Sequence, residues 1–190
     1  DGVNVKEYTQ KALRNKIGYV SQKAVLFTGS IKSNVAYGDN GKKGFTDDDV
    51  KHAIETAQAK EFVDKTEGGI DAFVAQGGSN FSGGQKQRIS IARAAIMDAP
   101  IMIMDDSVSA VDVKTEETIL KNVKEIRKGK TTIIIASRVS TVSHLDKIIV
   151  LNDGHLEAFD TPSNLLNTSK TYQTMVHLQQ LENELAGGEN

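Results

Sequence analysis

The chain has 190 residues, of which 38% are hydrophobic and 25% charged, a composition that suits one globular domain with a sizeable core. Its formal net charge of −2, without a long basic cluster, gives no reason to expect nucleic acid as a partner. The absence of cysteine excludes a disulfide framework and a thiolate metal site and agrees with a reducing cytosolic compartment, and no apolar run approaches the roughly 18 residues of a membrane-spanning helix.

The first part of the chain predicts short elements joined by polar connections. Residues 1–5 predict a turn and a strand already in progress, and the abrupt start without methionine predicts a fragment of a longer protein. The apolar run 17–20 predicts a strand, and the glycine-bounded stretch 27–38 predicts a polar connection. Thr46 is followed by three aspartates, which is typical of a helix N-cap, so a helix is expected to about residue 57, with a second short helix after it.

A glycine-rich turn, NFSGGQKQR, follows a loop that the glycine and serine content predicts to be exposed at 67–80. At a predicted helix start it combines a hydroxyl, two residues without Cβ and a row of backbone N–H groups, supplied by Ser82, Gly83 and Gly84. The positive end of the helix dipole favours an anion there. The turn is therefore suited to a phosphate.

An apolar strand ends in two acids, Asp105 and Asp106. This pattern predicts a buried parallel strand that delivers carboxylates to the carboxyl edge of a sheet, where α/β folds place their ligands. One of the acids could hold Mg²⁺. The strands then alternate with helices, which predicts a parallel α/β core; the predicted strands are 101–105, 131–136, 147–152 and 155–159, and the predicted helices are 113–127, a short one at Pro162, and 170–184.

The glycine-rich turn and the acid-ended strand resemble the signature motif and the Walker B strand of ATP-binding-cassette (ABC) nucleotide-binding domains. Three more motifs occur in the family's order: IGYVSQ at 17–22 resembles the strand and Q-loop, SAVD at 109–112 the D-loop, and IIIASR at 133–138 the strand entering the H-loop. The resemblance covers nearly the whole chain. It implies a P-loop NTPase-like α/β fold, truncated at the N-terminus, with a helical signature subdomain; the implied divisions of 1–190 are 39–98 for that subdomain, 1–38 and 99–168 for the α/β core, and 169–190 for a C-terminal helix and tail.

The phosphate-binding P-loop of this family is not expected within the chain. Gly129-Lys130-Thr131 offers the GK[ST] end of such a loop, but the required first glycine would fall on Lys124. Gly41-Lys42-Lys43 lacks both the first glycine and the hydroxyl. The family's layout therefore implies that the P-loop, and the aromatic residue that stacks on adenine, precede residue 1.

The resemblance also implies roles for individual residues. Asp105 would hold Mg²⁺ through water, Asp106 takes the place of the general base for the attacking water, and Gln22 would reach both the metal and that water. Ser137 takes the place of the H-loop histidine, which steadies the attacking water. The remaining residues would serve the ATP of an opposing cassette across a dimer interface; they are Ser82, Gly83, Gly84, Gln85 and Asp112.

Two of these positions depart from the family's pattern. Asp106 stands where the family has glutamate, which moves the carboxylate back by about 1.5 Å, the length of one carbon–carbon bond. Ser137 stands where the family has histidine, and its hydroxyl is too short to reach as far. Since misplacements of about 1 Å can cost about a hundredfold in rate, slow hydrolysis is expected. The two departures together resemble the degenerate half of a heterodimeric exporter; a homodimer with a tolerant aspartate stays open.

The run LRNKIGY at 13–19 is similar to multidrug and lipid exporter cassettes. The resemblance implies an ATP-binding and ATP-hydrolysing subunit of such an exporter, an ABC-type ATPase with ATP and Mg²⁺ as ligands. Its implied partners are a second cassette and a fused or associated transmembrane domain. The full-length protein is expected at the cytoplasmic face of the cell membrane, and this fragment is expected to be soluble and nearly inactive alone. The alternative is a regulatory, poorly hydrolysing module that gates a catalytic partner cassette.

Overall fold

A computed structural model describes residues 2–37 and 44–187 of the chain. The Gly41-Lys42-Lys43 stretch, the first residues of the predicted helical subdomain at 39–43, and the last three residues of the tail lie outside the described residues. The chain divides into two compact units, Asp1–Ile135 and Ala136–Asn190.

The first unit contains six helices and five strands within its described residues. The helices are α1 (Gln10–Arg14), α2 (Ile31–Val35), α3 (Asp47–Thr56), α4 (Lys60–Lys65), α5 (Gly83–Ile96) and α6 (Val113–Ile126). The strands are β1 (Ile17–Val20), β2 (Gly29–Ser30), β3 (Phe73–Val74), β4 (Ile101–Asp105) and β5 (Thr131–Ile135). Three short 3₁₀ turns lie at Val5–Glu7, Gly69–Asp71 and Gln76–Gly78.

A three-stranded parallel sheet in the order β1-β4-β5 forms the centre of this unit, which confirms the parallel core for the predicted strands 101–105 and 131–136. The predicted strands 147–152 and 155–159 instead pair antiparallel with each other in a separate sheet. The register pairs Val20 with Met104, so β1 and β4 end at the same edge of the sheet. Helix α5 packs against β1. A Cβ at Gly18 would lie 3.2 Å from the carbonyl oxygen of Ala94 in α5, so glycine at this position permits the close approach.

The two faces of this sheet differ. Met102 and Met104 of the central strand are fully buried on one face. On the opposite face, Tyr19, Ile133 and Ile135 are 54%, 45% and 51% exposed. Successive side chains of a strand point to opposite faces. Asp105, which follows the buried Met104 in β4, therefore lies on the same exposed face as Tyr19.

Helix α3 begins as its sequence predicts. The Thr46 side chain accepts a hydrogen bond from the backbone N–H of Asp49, and the Asp49 carboxylate accepts one from the N–H of Thr46 at 2.8 Å. This reciprocal capping box satisfies two N–H groups that a helix start leaves without partners.

Two predictions near the start of the chain are wrong. Residues 1–5 hold no strand among those described, because the Asn4 side chain accepts a hydrogen bond from the N–H of Lys6 and turns the chain into a 3₁₀ helix. The stretch 27–38, predicted as a connection, contains β2 and α2 within its described part. The hydroxyls of Ser30 and Ser33 form a capping box that starts α2, and its apolar face is buried.

The prediction of an exposed loop at 67–80 is also partly wrong. It contains β3, which pairs antiparallel with β2, and Val74 of that strand is fully buried. Gly78 is buried too, and a Cβ there would lie 2.9 Å from one side-chain carbon each of Leu26 and Lys86. The glycines that suggested exposure instead allow tight turns with positive φ.

The second unit contains α7 (Val139–Val142), β6 (Ile148–Asn152), β7 (His155–Asp160), α8 (Pro162–Thr168) and α9 (Lys170–Gly187). Strands β6 and β7 form an antiparallel hairpin joined by Asp153-Gly154, and both residues have positive φ, as such a two-residue turn requires. The core of the unit consists of Val139, Val150, Leu165 and Tyr172. Pro162 occupies the first turn of α8, which confirms its prediction.

In the described part of the chain, no helix is both long and apolar enough to cross a membrane. The predicted division into a helical subdomain, an α/β core and a C-terminal helix stays a prediction.

Candidate functional site

Two neighbouring carboxylates lie at the carboxyl end of the central strand. Asp105 is the last residue of β4, and Asp106 follows it with a φ of 43°. Aspartate tolerates this left-handed backbone better than most residues. The Asp106 N–H donates to the Ile135 carbonyl at 2.8 Å, and its carbonyl accepts a hydrogen bond from the Ser109 hydroxyl at 2.9 Å. The backbone around the second carboxylate is therefore held on both sides.

Each carboxylate accepts a hydrogen bond from β1 or from the segment that follows it. The Gln22 side-chain amide donates to Oδ2 of Asp106 at 3.3 Å, and the Tyr19 hydroxyl donates to Oδ2 of Asp105 at 2.8 Å. The hydrogen bond to Asp105 is the main reason that the pKa of Tyr19 lies above its ordinary value. The structure thus brings Gln22, Asp105 and Asp106 together at one edge of the sheet.

Helix α5 holds the segment that carries Gln22. The Gln87 side chain, 3% exposed, donates to the carbonyl of Ser21 at 3.1 Å. The Arg93 guanidinium donates to the carbonyls of Val25 at 2.9 Å and Asn34 at 2.7 Å, and burial lowers the pKa of this group. The sequence motifs predict neither Gln87 nor Arg93. The sequence indicates these two residues only in that each places a polar side chain on the apolar face of the predicted helix.

The glycine-rich turn forms the start of α5. Ser82 is the N-cap, its side chain accepts a hydrogen bond from the N–H of Gln85, and the Gln85 side chain accepts one from the N–H of Ser82 at 2.9 Å. A Cβ at Gly83 would meet open space, whereas a Cβ at Gly84 would lie 2.9 Å from the backbone oxygen of Ala110. The turn is therefore open to solvent at Gly83, whereas at Gly84 it packs against the loop 109–112.

Phe81, the residue before Ser82, packs beneath the glycines of this turn. Phe81 is 8% exposed, and its ring lies 6.3 Å from that of Phe62 in an edge-on arrangement. The Arg88 guanidinium lies 4.8 Å from the centre of the Phe62 ring and donates to the carbonyl of Gln58 at 2.8 Å. These contacts fix the second turn of α5 behind the signature residues.

Asp112 begins helix α6 as its N-cap. Its carboxylate accepts a hydrogen bond from the N–H of Thr115 at 3.0 Å. Hydrogen bonding from Thr115 is the main cause of the lowered pKa of Asp112, and the positive charge of Arg88 acts in the same direction. Ser137 is an exposed residue of the second unit, in the loop before α7.

Gly129-Lys130-Thr131 is a structural turn between α6 and β5. Gly129 has a φ of 77°, and Lys130 forms an ion pair with Asp98. A phosphate-binding loop would open a helix, whereas this turn enters a strand.

The donor groups present suit Mg²⁺. Asp105 and Asp106 supply carboxylate oxygens, and Gln22 carries an amide oxygen, which are the hard ligands that this ion prefers. Within residues 2–37 and 44–187, no three His, Cys, Asp or Glu side chains are grouped closely enough to hold a metal alone. Mg²⁺ commonly binds through one or two carboxylates while water and substrate phosphates fill its other positions, so the residues fit this ion.

Comparison with known families assigns the fold. Residues 1–109 match the family model described as ABC transporter. The chain belongs to this family. Membership confirms the predicted ABC ATPase fold and implies ATP as the nucleotide.

Two similar proteins and one similar solved structure cover almost the whole chain. The ABC transporter B family member 21 of Arabidopsis thaliana is 40% identical over 95% of the chain, and the ATP-dependent lipid A-core flippase of Vibrio vulnificus is 38% identical over 94%. The structure of a bacterial Atm1-family ABC exporter with ATP bound superimposes with a TM-score of 0.89 at 36% identity over 95% of the chain. The chain spans only 14%, 30% and 31% of their respective lengths.

Proposed function

We propose that this chain is part of the ATP-binding and ATP-hydrolysing cassette of an ABC exporter, and that it works as an ABC-type ATPase within the full-length protein. The observation that carries the proposal is the meeting of Gln22, Asp105 and Asp106 at one edge of a parallel sheet. The similar proteins support it, since one is named an ATP-dependent flippase and the similar solved structure is an exporter with ATP bound.

The ligands of this cassette would be ATP and Mg²⁺. Asp105 would hold Mg²⁺ through water, and the bound ion would neutralise negative charge that develops on the phosphates. The Asp106 carboxylate would accept the proton of the attacking water. Gln22 would orient that carboxylate through its hydrogen bond to Oδ2, which leaves Oδ1 for the water.

The signature turn would act on the nucleotide of a second cassette. Ser82 and Gly83 are exposed at the start of α5, where backbone N–H groups and the helix dipole favour a phosphate. Gly84 and Gln85 would hold the turn in shape, the first by its contact with the loop 109–112 and the second by the capping box. Asp112, at the end of that loop, would lie at the interface between the cassettes.

We further propose that the partner is a different chain and that this cassette forms the weaker of the two sites. Asp106 is one carbon–carbon bond shorter than the glutamate of the family pattern, and Ser137 replaces its histidine. The capping box at Ser82 is complete, so this chain would supply an effective signature to its partner. A fused or associated transmembrane domain would place both cassettes at the cytoplasmic face of the membrane.

Alanine at Ser82 tests this proposal in the full-length chain coexpressed with candidate partner half-transporters. We expect Mg-ATP hydrolysis by the purified complex to fall roughly tenfold or more, because a hydrogen bond to a charged group contributes about 1.5–3 kcal/mol. The matched control is Thr46→Ala, which removes the same kind of capping box from α3 without touching the signature turn. A fall in both variants would mark a general loss of helix capping, and unchanged turnover in Ser82→Ala would contradict the proposed role of the signature.

The names of the similar proteins do not favour the alternative of a regulatory module, and Asp106 and Ser137 provide the means to test it. The double variant Asp106→Glu, Ser137→His separates the two functions by its rate of ATP hydrolysis in the full-length pair. If the short side chains at positions 106 and 137 limit hydrolysis, we expect the double variant to raise turnover on the order of tenfold. This gain is less than the roughly hundredfold cost of misplacing a catalytic group by about 1 Å. The gain is smaller because glutamate tolerates the left-handed backbone at this position less well than aspartate. A regulatory site would show no increase.

A further inference from the structure

Tyr19 and Asp105 are linked across two parallel strands. Tyr19 is paired with Ile103, so Asp105, two residues further along β4, is its diagonal neighbour on the same face of the sheet. The Tyr19 hydroxyl lies 2.8 Å from Oδ2 of Asp105, a normal distance for a phenol donating to a carboxylate.

The two carboxylates accept hydrogen bonds from groups on different kinds of backbone, one in a loop and one in a strand. Asp106 accepts its hydrogen bond from Gln22, which lies in a loop, at 3.3 Å. Asp105 accepts its hydrogen bond from Tyr19, which lies within a strand whose register is fixed by pairing with β4. The position of the side-chain amide therefore depends on the contacts between its loop and α5, whereas the phenol is carried by a strand that pairs directly with the strand ending in Asp105.

We propose that Tyr19 is a positioning residue that holds Asp105 in one orientation, so that Oδ2 is occupied by the phenol and Oδ1 faces the hydration shell of the metal. An aspartate carboxylate otherwise rotates broadly about its last side-chain bond. Partners that hydrogen-bond to a metal-ligating carboxylate orient it, and their loss typically costs about 10–100-fold in metal affinity or activity. The inference rests on the proposed function, in which Asp105 holds Mg²⁺.

The phenol is suited to this task because it can orient the carboxylate without neutralising its negative charge. A neutral phenol donates one hydrogen bond and adds no charge next to Asp105. A lysine at position 19 would also donate to the carboxylate, but its positive charge would oppose the binding of a cation. Phenylalanine would keep the ring on the sheet and remove only the hydrogen bond.

The test compares Tyr19→Phe with Tyr37→Phe in the full-length transporter complex. Tyr37 is also exposed, but its ring is stacked on Phe27 with centroids 4.3 Å apart. Mn²⁺ serves as the probe metal, and its binding is measured by electron paramagnetic resonance with a non-hydrolysable ATP analogue. The sites contributed by this cassette are those lost in Asp105→Asn. We expect Tyr19→Phe to raise the Mn²⁺ dissociation constant of those sites about tenfold, while Tyr37→Phe leaves it unchanged.

Two further measurements separate positioning from a general structural role. Binding of the nucleotide analogue without metal, and the thermal midpoint, are expected to be the same in Tyr19→Phe as in the unchanged protein. Unaltered Mn²⁺ affinity in Tyr19→Phe, or a parallel loss of metal-free nucleotide binding, would overturn the role of Tyr19 alone. If Asp105→Asn also leaves Mn²⁺ binding intact, the metal role of Asp105 fails, and with it this part of the proposed function.

Discussion

Alanine at Gly84 is expected to lower ATP turnover about a hundredfold in the full-length complex. A Cβ at this position would lie 2.9 Å from the backbone oxygen of Ala110, closer than side-chain carbons approach such atoms. The loop that carries this oxygen is tied at both ends, at Ser109 to the carbonyl of Asp106 and at Asp112 to the N–H of Thr115. The signature turn must therefore move, and displacements of about 1 Å at a reacting centre cost about a hundredfold.

The neighbouring glycine provides the matched comparison for this prediction. A Cβ at Gly83 meets nothing within 4 Å, so Gly83→Ala is expected to keep or slightly raise the thermal midpoint. Gly84→Ala is expected to lower the free energy of unfolding by about 1–3 kcal/mol, the usual cost of overpacking. Thermal unfolding is the measurement that separates the two, because both glycines belong to the proposed phosphate-binding turn. Equal midpoints, together with equal turnover, would contradict the steric role of Gly84.

The sequence predicts the regular elements of this chain well where short-range chemistry determines them. Helix α5 begins at Gly83, directly after Ser82, and α6 begins at Val113, directly after Asp112, because each N-cap side chain satisfies a backbone N–H of the first turn. Strand β4 ends at Asp105, directly after the apolar run 101–104.

The errors concern segments whose structure depends on distant partners. Strand β2 consists of only Gly29 and Ser30, and it forms because Val74 and Phe73 of β3 pair with them. No periodicity of two residues can be read from such a short strand. Helix α2 is likewise five residues long, too short to be stable without the packing of Ile31 and Val35 into the core.

The candidate site shows the same division between local and distant information. The motifs predict which residues meet at the sheet edge, because β1 and β4 are parallel and both end there. They do not predict Tyr19, Gln87 or Arg93, since each acts through a contact with a residue far away in the sequence. Helix α5 carries the signature turn at its start, and its residues Gln87 and Arg93 donate hydrogen bonds to the segment that carries Gln22. The signature turn and the Gln22 segment are therefore both positioned by the same helix.

Loss of the Arg127 side chain is expected to destabilise the protein, because this buried group makes four hydrogen bonds. It is 3% exposed and lies at the end of α6. Its guanidinium donates to three carbonyls and one hydroxyl at 2.8–3.2 Å, those of Ala99, Pro100, Thr131 and Thr132. We expect Arg127→Met to lower the free energy of unfolding by about 3 kcal/mol, because it leaves buried acceptors without a donor while keeping much of the apolar stem.

The effect is measured as the thermal midpoint of the purified protein, where about 3 kcal/mol corresponds to a fall of roughly 6–12 °C for a chain of this size. Lys128→Met is the control, since Lys128 is exposed and its ion pair with Glu125 should contribute less than about 1 kcal/mol. Arg127→Lys keeps the charge but lacks the planar fork that reaches four acceptors, so its midpoint should fall between those of the other two variants. A midpoint for Arg127→Lys equal to that of the unchanged protein would show that charge, rather than the geometry of the guanidinium, holds the segment before β4 and the start of β5 together.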